Sequence, residues 1–263
     1  MQYESTSESA LTSHRLESIL REVFGFDSFR VGQAEAAREI FADRDVFVCM
    51  KTSGGKSLCY LLSALIFPGT SIVISPLIFL MEYQVATLVA KGIRVTRVTR
   101  LKNEQLVSDI LAKKYKLVYM SPEAITAPFW RTALAGTLQK FLSFFAVDEA
   151  HLIEEWGSTF RSSFKELFYL RFVLSVPIMA LSATAPLSVV SAVTSCLCMS
   201  ECLVISGSLN RSNPFYAIDS NKSLSSVFYL LCSNLSSTSS LETFPKVLIF
   251  CVSEDILNYV QSL

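Results

Sequence analysis

The sequence predicts an α/β fold in which a parallel sheet carries helices on both faces. Three observations support this. First, short apolar runs at Val46–Met50, Ser71–Ser75, Ile93–Val98, Leu117–Met120, Leu142–Val147, Ile178–Ser182 and Leu203–Ile205 alternate with segments mostly long enough for a crossover helix. This is the pattern of strand–helix–strand units. Second, the longest runs, such as Phe141–Val147 and Val247–Val252, are continuously apolar, as in strands buried on both faces. Third, the 263 residues are 51% hydrophobic and only 17% charged, against about 25% charged in an ordinary soluble domain. Ligands of such sheets gather at the carboxyl ends of the strands, so chemistry-bearing motifs are expected there.

The elements follow in order. Residues 1–14 are polar and are assigned to a disordered tail. Leu16, Ile19, Leu20 and Val23 then recur at helical spacing, which predicts a short amphipathic helix. The strand series and its helices fill the folded domain, placed at 15–206. From about Ser206 to Ser240 the chain is serine-rich and weakly periodic. It reads as a linker, 207–243, with one short helix near Leu224–Leu231. Lys246–Cys251 reads as a further buried strand and Ser253–Leu263 as a helix, so 244–263 is the start of a second unit.

Composition excludes several classes. The formal net charge is zero, with 23 basic and 23 acidic residues, so the chain is neither a polybasic protein nor an acidic or disordered one. No apolar run approaches the ~18–20 residues that cross a bilayer, and Met1–Ser5 lacks the features of a secretory signal. Seven cysteines are an odd number, and Cys196, Cys198 and Cys202 do not have zinc-site spacing. They read as reduced thiols of a cytosolic or nuclear protein.

The first chemical motif is Met50-Lys51-Thr52-Ser53-Gly54-Gly55-Lys56-Ser57, which follows a strand and precedes the helix-like Leu58–Leu65. Small residues let backbone N–H groups curl around phosphate oxygens, and the helix N-terminus adds positive potential. Lys56 is placed to reach β- and γ-phosphates and the Ser57 hydroxyl to hold Mg²⁺; Thr52, Gly54 and Gly55 complete the phosphate cradle. The second motif, Asp148-Glu149-Ala150-His151, ends the run Phe141–Val147. It puts two carboxylates at a strand's carboxyl end, Asp148 suited to Mg²⁺ and Glu149 to activating or orienting an attacking water.

With these motifs the chain resembles the N-terminal half of RecQ-family DNA helicases, within the DEAH-type superfamily 2 motors. Phe24–Gln33 resembles the adenine motif and Met50–Tyr60 motif I. Ile74–Gln84 resembles motif Ia, Tyr119–Glu123 motif Ib and Val147–His151 motif II. Trp156-Gly157 with Phe160-Arg161 resembles the aromatic-rich loop, Ala180–Ala185 motif III, Ser208–Asn213 the bridge to a second motor domain, and Val247–Ser253 its first strand. The resemblance spans roughly 16–263 and implies a RecA-like ATP-binding domain using ATP and Mg²⁺ on single-stranded or forked DNA, with 3′-to-5′ unwinding and nuclear location.

Residue by residue, it implies that Phe26 stacks on adenine, Gln33 reads its edge and Arg30 lies beside them. Trp156, Phe160 and Arg161 couple single-stranded DNA to hydrolysis, since bases stack on aromatic and guanidinium planes at about 1–3 kcal/mol each. His151, Ser182 and Thr184 link the ATP site to the DNA side. Ser75, Pro76, Gln84 and Ser121-Pro122-Glu123 line the DNA backbone path.

The departures are specific. Lys51 stands where the family has Pro and Ser53 where it has Gly. If Ser53 is left-handed, the strain is about 1–2 kcal/mol. Phe79 and Glu82-Tyr83 replace Ser and Lys-Asp in motif Ia. Glu154, Glu155, Ser158 and Thr159 alter the aromatic-rich loop, and the two carboxylates oppose phosphate binding. The sequence ends after one strand and one helix of the second motor domain, which leads to the expectation of a truncated product unable to unwind alone. A nucleotide- or DNA-binding remnant and an unrelated P-loop phosphotransferase are the alternatives. Zero net charge is compatible with DNA binding through a local basic stripe.

Overall fold

The structure, a computed structural model, describes residues 13–99, 101–155, 162–184, 186–207 and 253–262, with single residues at 229, 233 and 250. The chain divides into two compact units, Met1–Asn210 and Arg211–Leu263.

The first unit is a seven-stranded sheet. Its strands are β1 (Val46–Cys49), β2 (Thr70–Ile74), β3 (Val95–Arg97), β4 (Leu117–Met120), β5 (Leu142–Val147), β6 (Ile178–Ser182) and β7 (Leu203–Ser206). They lie in the order β3-β4-β2-β5-β6-β1-β7, and every pairing is parallel. Each of the seven runs predicted between Val46 and Ile205 therefore forms a strand, with β3 shorter than its apolar run. β7 departs from two-faced burial: as an edge strand it pairs with β1 alone, and Leu203 and Val204 are partly exposed.

Alternation along each strand divides the core into two layers. Phe47, Cys49, Ile72, Ile74, Val118, Phe145 and Val147 face one layer. Val46, Val48, Val73, Tyr119, Phe144 and Ala146 face the other. The connecting helices are α1 (13–22), α2 (Gln33–Phe41), α3 (Lys56–Ile66), α4 (Ile78–Ala90), α5 (Glu104–Leu111), α6 (Pro122–Thr126), α7 (Pro128–Ala135), α8 (Leu152–Glu155), α9 (Tyr169–Val173) and α10 (Leu187–Cys196). α2, α3 and α4 send side chains into the second layer, whereas α5 to α10 fill the first. α1 closes a third cluster by packing Leu16 and Leu20 against Ala37, Leu58 and Leu62.

Caps set where these helices start. Asn103 Oδ1 accepts the Leu106 amide at 3.0 Å ahead of α5, and Ser121 Oγ accepts the Ala124 amide at 3.2 Å ahead of α6, with Pro122 in its first turn. Each satisfies an N–H that the helix leaves unpaired. Asp45, just before β1, accepts the Ile178 amide at 2.8 Å and the Arg171 guanidinium at 2.5 Å. One carboxylate thus aligns the starts of β1 and β6.

Two expectations are corrected. Ser13 and His14 belong to α1 rather than to a tail, because Leu16 leans back over the preceding turn and needs that turn to be helical. Phe250, from the run expected as a buried strand, is in no regular element and is 87% exposed. That exposure is the opposite of the burial expected at this position. The other residues of that run lie outside the described residues. So does most of the proposed connector helix, of which Tyr229 is helical. In the second unit Glu254–Ser262 forms a helix, and Ser253 Oγ accepts the Ile256 amide at 3.4 Å. Among the described residues no helix is long and apolar enough to cross a membrane.

Candidate active site

The site is built at the carboxyl end of β1. The chain leaves the sheet at Met50, whose amide still bonds the Ser182 carbonyl at 3.1 Å, then turns so that the Gly54 amide bonds the Lys51 carbonyl at 2.8 Å. The turn needs two glycines. A Cβ on Gly54 would sit 2.7 Å from the Lys51 carbonyl oxygen, and Gly55, at φ 86°, would bring a Cβ 2.4 Å from Gln33 Nε2. These are the dimensions of a cradle that backbone alone fits. Ser53 holds φ 65°, the strained left-handed state expected of a non-glycine residue there. Gly55 caps α3, and Lys56 folds back so that Nζ donates to the Met50 carbonyl at 3.3 Å.

The segment before β1 braces this loop. The Arg30 amide donates to Gln33 Oε1 at 2.9 Å, Gln33 Nε2 donates to the Gly55 carbonyl at 3.1 Å, and the Arg30 guanidinium donates to the Ser53 carbonyl. Gln33 is buried and its amide is directed at backbone. Its observed partners are the loop, not an open base-reading position. Phe26 is half-exposed. A cavity of about 480 Å³ beside the loop is lined by Arg30, Val31, Met50, Lys51, Gly54 and Gly207. Of the three expected adenine-site residues, the structure puts Arg30 on this cavity and leaves Phe26 and Gln33 off its lining.

Asp148 closes the site from β5, two strands from β1. It is 4% exposed. Its carboxylate accepts the Glu149 amide at 3.0 Å. Burial, and then the Glu149 charge, push its pKa up to about 6 against the opposing pull of that amide and of Lys56. Glu149 turns in the left-handed region at φ 50°, which lifts its side chain off the strand line to meet His151 Nδ1 at 3.4 Å. His151 Nδ1 also lies 3.3 Å from Ser182 Oγ. Ser182 accepts the Thr184 amide at 3.2 Å and donates to the Thr184 carbonyl. Glu149, His151, Ser182 and Thr184 therefore form one contact chain across the ends of β5 and β6. Trp156, Phe160 and Arg161 lie outside the described residues.

A hydroxyl of Ser57 and a buried carboxylate of Asp148 are hard oxygen donors of the type that hold Mg²⁺, and both sit beside a lysine in a backbone-lined turn. The residues fit a nucleotide–magnesium group. One group is not apparent from sequence: Tyr60, next to the phosphate loop on α3, whose hydroxyl is buried and hydrogen-bonded to Gln84 and Tyr119. In an apolar helix a tyrosine looks like core. Its sequence signals are its position a single turn after Ser57 and its place in the flank of the motif I resemblance.

A phosphate-type loop entering a helix from a central parallel strand, with an acidic pair ending a nearby strand, defines a RecA-like P-loop α/β domain. The chain belongs to the DEAD/DEAH box helicase family, whose profile matches residues 30–193. It is 41% identical over 181 residues to "ATP-dependent DNA helicase Q5" of Rattus norvegicus, an alignment covering 65% of this chain and 19% of that protein. It is 36% identical over 208 residues to "ATP-dependent DNA helicase RecQ" of Haemophilus influenzae, covering 77% of this chain and 33% of that one. The chain thus spans a third or less of the length of these relatives. Among solved structures, MrfA helicase bound to DNA and AMPPNP superposes with a TM-score of 0.55 at 20% identity, over 73% of this chain and 29% of that one. That likeness concerns the fold alone.

Proposed function

We propose that this chain supplies the ATP-binding motor domain of a RecQ-type, 3′-to-5′ DNA helicase. The observation that carries the reading is that the Lys56 loop and buried Asp148 follow the carboxyl ends of β1 and β5, two strands apart in one parallel sheet, with the Lys56 charge felt at Asp148.

In this reading Lys56 leaves the Met50 carbonyl for the β- and γ-phosphates, and loop amides take the remaining phosphate oxygens. Ser57 and Asp148 hold Mg²⁺, which when bound screens the charge of the phosphates. Glu149 orients the attacking water and accepts its proton. His151 then carries the state of Glu149 to Ser182 and Thr184, and Trp156, Phe160 and Arg161 meet single-stranded DNA. Arg30 borders the base cavity. Phe26 stacks on the base, and Gln33 reads it once released from Gly55. Strand separation requires a second motor domain that contributes the opposite wall of the cleft and an arginine finger, worth about 10³–10⁵ in rate. A nuclear or cytosolic setting accompanies this reading.

The test is Mg-ATP binding and turnover, with and without single-stranded DNA, for the parent chain, Lys56→Ala and Glu149→Gln. Loss of binding in Lys56→Ala and retention in Glu149→Gln is the expected result. Equal nucleotide affinity in the parent and Lys56→Ala sinks the reading.

A further inference from the structure

A chain of zero net charge can hold a polyanion only through a local basic patch. The structure gathers one at the amino end of the sheet, the end opposite the phosphate loop. Phe67 lies just ahead of β2, Arg94 just ahead of β3, and Lys113 and Lys116 in the turn between α5 and β4. Hydrogen bonds join these segments. The Lys116 amide donates to the Arg94 carbonyl at 2.7 Å. The Arg94 guanidinium donates to the Lys113 carbonyl at 3.2 Å, and the Lys116 ammonium donates to the Phe67 carbonyl. In the turn that leads into β3, Lys91 Nζ donates to the Val23 carbonyl at 3.4 Å. Arg94 and Lys113 are exposed and Lys116 is partly buried.

Each of these side-chain bonds goes to a main-chain carbonyl, which fixes a cation and leaves its charge in place. Among the described residues no carboxylate pairs with Lys91, Arg94, Lys113 or Lys116. Their neighbours differ: Lys114 is neutralised by Asp109 at 2.7 Å and Arg97 by Glu82 at 2.6 Å. Burial, and after it the charges of Arg94, Arg15 and Lys113, hold the Lys116 pKa below its ordinary value, as expected of like charges gathered without a counterion. An anion here meets several uncompensated charges whose positions are already set by the starts of β3 and β4. Sites that track single strands interleave cations with stacking rings. The side chains gathered here are cations alone, which suits backbone phosphates whose bases are already paired.

We propose that Arg94, Lys113 and Lys116 form a site for duplex DNA, holding its backbone phosphates without reading sequence. The site lies at the amino ends of β3 and β4, whereas the phosphate loop and Asp148 follow the carboxyl ends of β1 and β5. None of the bonds that build the patch involves a nucleotide-site residue, so the duplex is retained in every nucleotide state. The choice of DNA as the polyanion rests on the proposed helicase reading; the site itself goes beyond that reading.

The test uses the full chain. Binding of a short blunt duplex of mixed sequence is titrated across a salt series for the parent, Arg94→Gln, Lys113→Gln and Arg44→Gln. Loss of one phosphate contact is expected to lower the slope of log affinity against log salt by about 0.9 in each of the first two variants. That corresponds to binding about tenfold weaker at roughly 0.05 M salt, converging with the parent towards about 1 M. Arg44→Gln removes a cation at the same end of the sheet, beside β1 and already paired with Glu39 at 2.6 Å, and is expected to keep the parental slope. Arg94→Gln also gives up a bond to backbone, so Lys113→Gln carries the test if the former does not fold. Parental slope and affinity in Lys113→Gln overturn the proposal, as does a parent that binds no duplex. An equal fall in Arg44→Gln overturns it too, by assigning the effect to net charge. Poly-glutamate and a single strand of the same length are the comparison probes. A loss of affinity for either in Lys113→Gln as large as that for the duplex overturns the assignment to paired DNA. Mg-ATP affinity, measured alongside, is expected to match the parent in all three variants; a parent that binds no Mg-ATP counts against the proposed function, a failure separate from the duplex slopes.

Discussion

Gln33 Nε2 donates to the Gly55 carbonyl at 3.1 Å, so the start of α2 fixes the last turn of the loop that opens α3. Adding a Cβ at residue 55 strikes that same nitrogen at 2.4 Å, at a φ of +86°. Gly55→Ala therefore meets two independent penalties, left-handed strain of about 1–2 kcal/mol and expulsion of a buried amide from its partners, about 1–3 kcal/mol. The expected outcome is a loss of about 2–5 kcal/mol in urea unfolding. Weakened Mg-ATP binding is expected to accompany it.

Ser53 offers the opposite sign. At φ 65° it carries left-handed strain of about 1–2 kcal/mol. Glycine there removes the strain but loosens the unfolded chain by about 0.4–1 kcal/mol. Strain is the larger of the two, so Ser53→Gly should gain about 0.5–1 kcal/mol, read as a higher urea midpoint with unchanged slope. A lower midpoint would contradict the strain argument. The Arg30 contact to the Ser53 carbonyl uses backbone and survives the change.

The strands were legible because a strand covered on both faces must be apolar at every position, as in Val46–Cys49 and Leu117–Met120. The phosphate loop and the Asp148-Glu149 pair were legible because their residue types are tied to a strand end. Strand order was not. That β1 lies between β6 and β7 depends on which crossover packs on which face, and the strand sequences do not encode it. Nor was the inward engagement of Gln33, because an amide that reads a base and one that braces a carbonyl are the same residue in the same motif. The hydroxyl of Tyr60 was hidden for a related reason: its apolar ring satisfies the helix pattern, and its partners Gln84 and Tyr119 come from elements 24 and 59 residues away.

Asp45 and Arg171 are 126 residues apart in sequence and 2.5 Å apart in space. The Asp45 side chain is 7% exposed and that of Arg171 26% exposed. The second oxygen of Asp45 takes the first amide of β6. Asp45→Ala leaves a partly buried guanidinium and a buried N–H without this acceptor, and removing one partner of such a pair costs about 3–5 kcal/mol. The lower end is expected because Arg171 retains a bond to the Val176 carbonyl. Asp45→Asn, which keeps an acceptor for Ile178, should recover part of the loss. A urea series on the three proteins measures both.

Asp148 makes stability depend on pH in an unusual direction. Burial and Glu149 raise its pKa from 3.8 to about 6, so between these values the folded chain binds the proton more tightly than the unfolded chain does. Its contribution is then fully present below about pH 4 and is lost as pH rises through 6. A rise of that size corresponds to about 2–3 kcal/mol. Asp148→Asn keeps an oxygen for the Glu149 amide and removes the charge. Without divalent cations it should be more stable than the parent by about that amount at pH 7.5, with the difference closing by pH 4. Urea midpoints taken across this range give the measurement. A difference that is flat with pH would mean that the carboxylate is ionised without cost in the fold. A cation held by Asp148 should reverse the sign at neutral pH, stabilising the parent and not Asp148→Asn, because the desolvated charge that destabilises the empty site is the one that binds the metal.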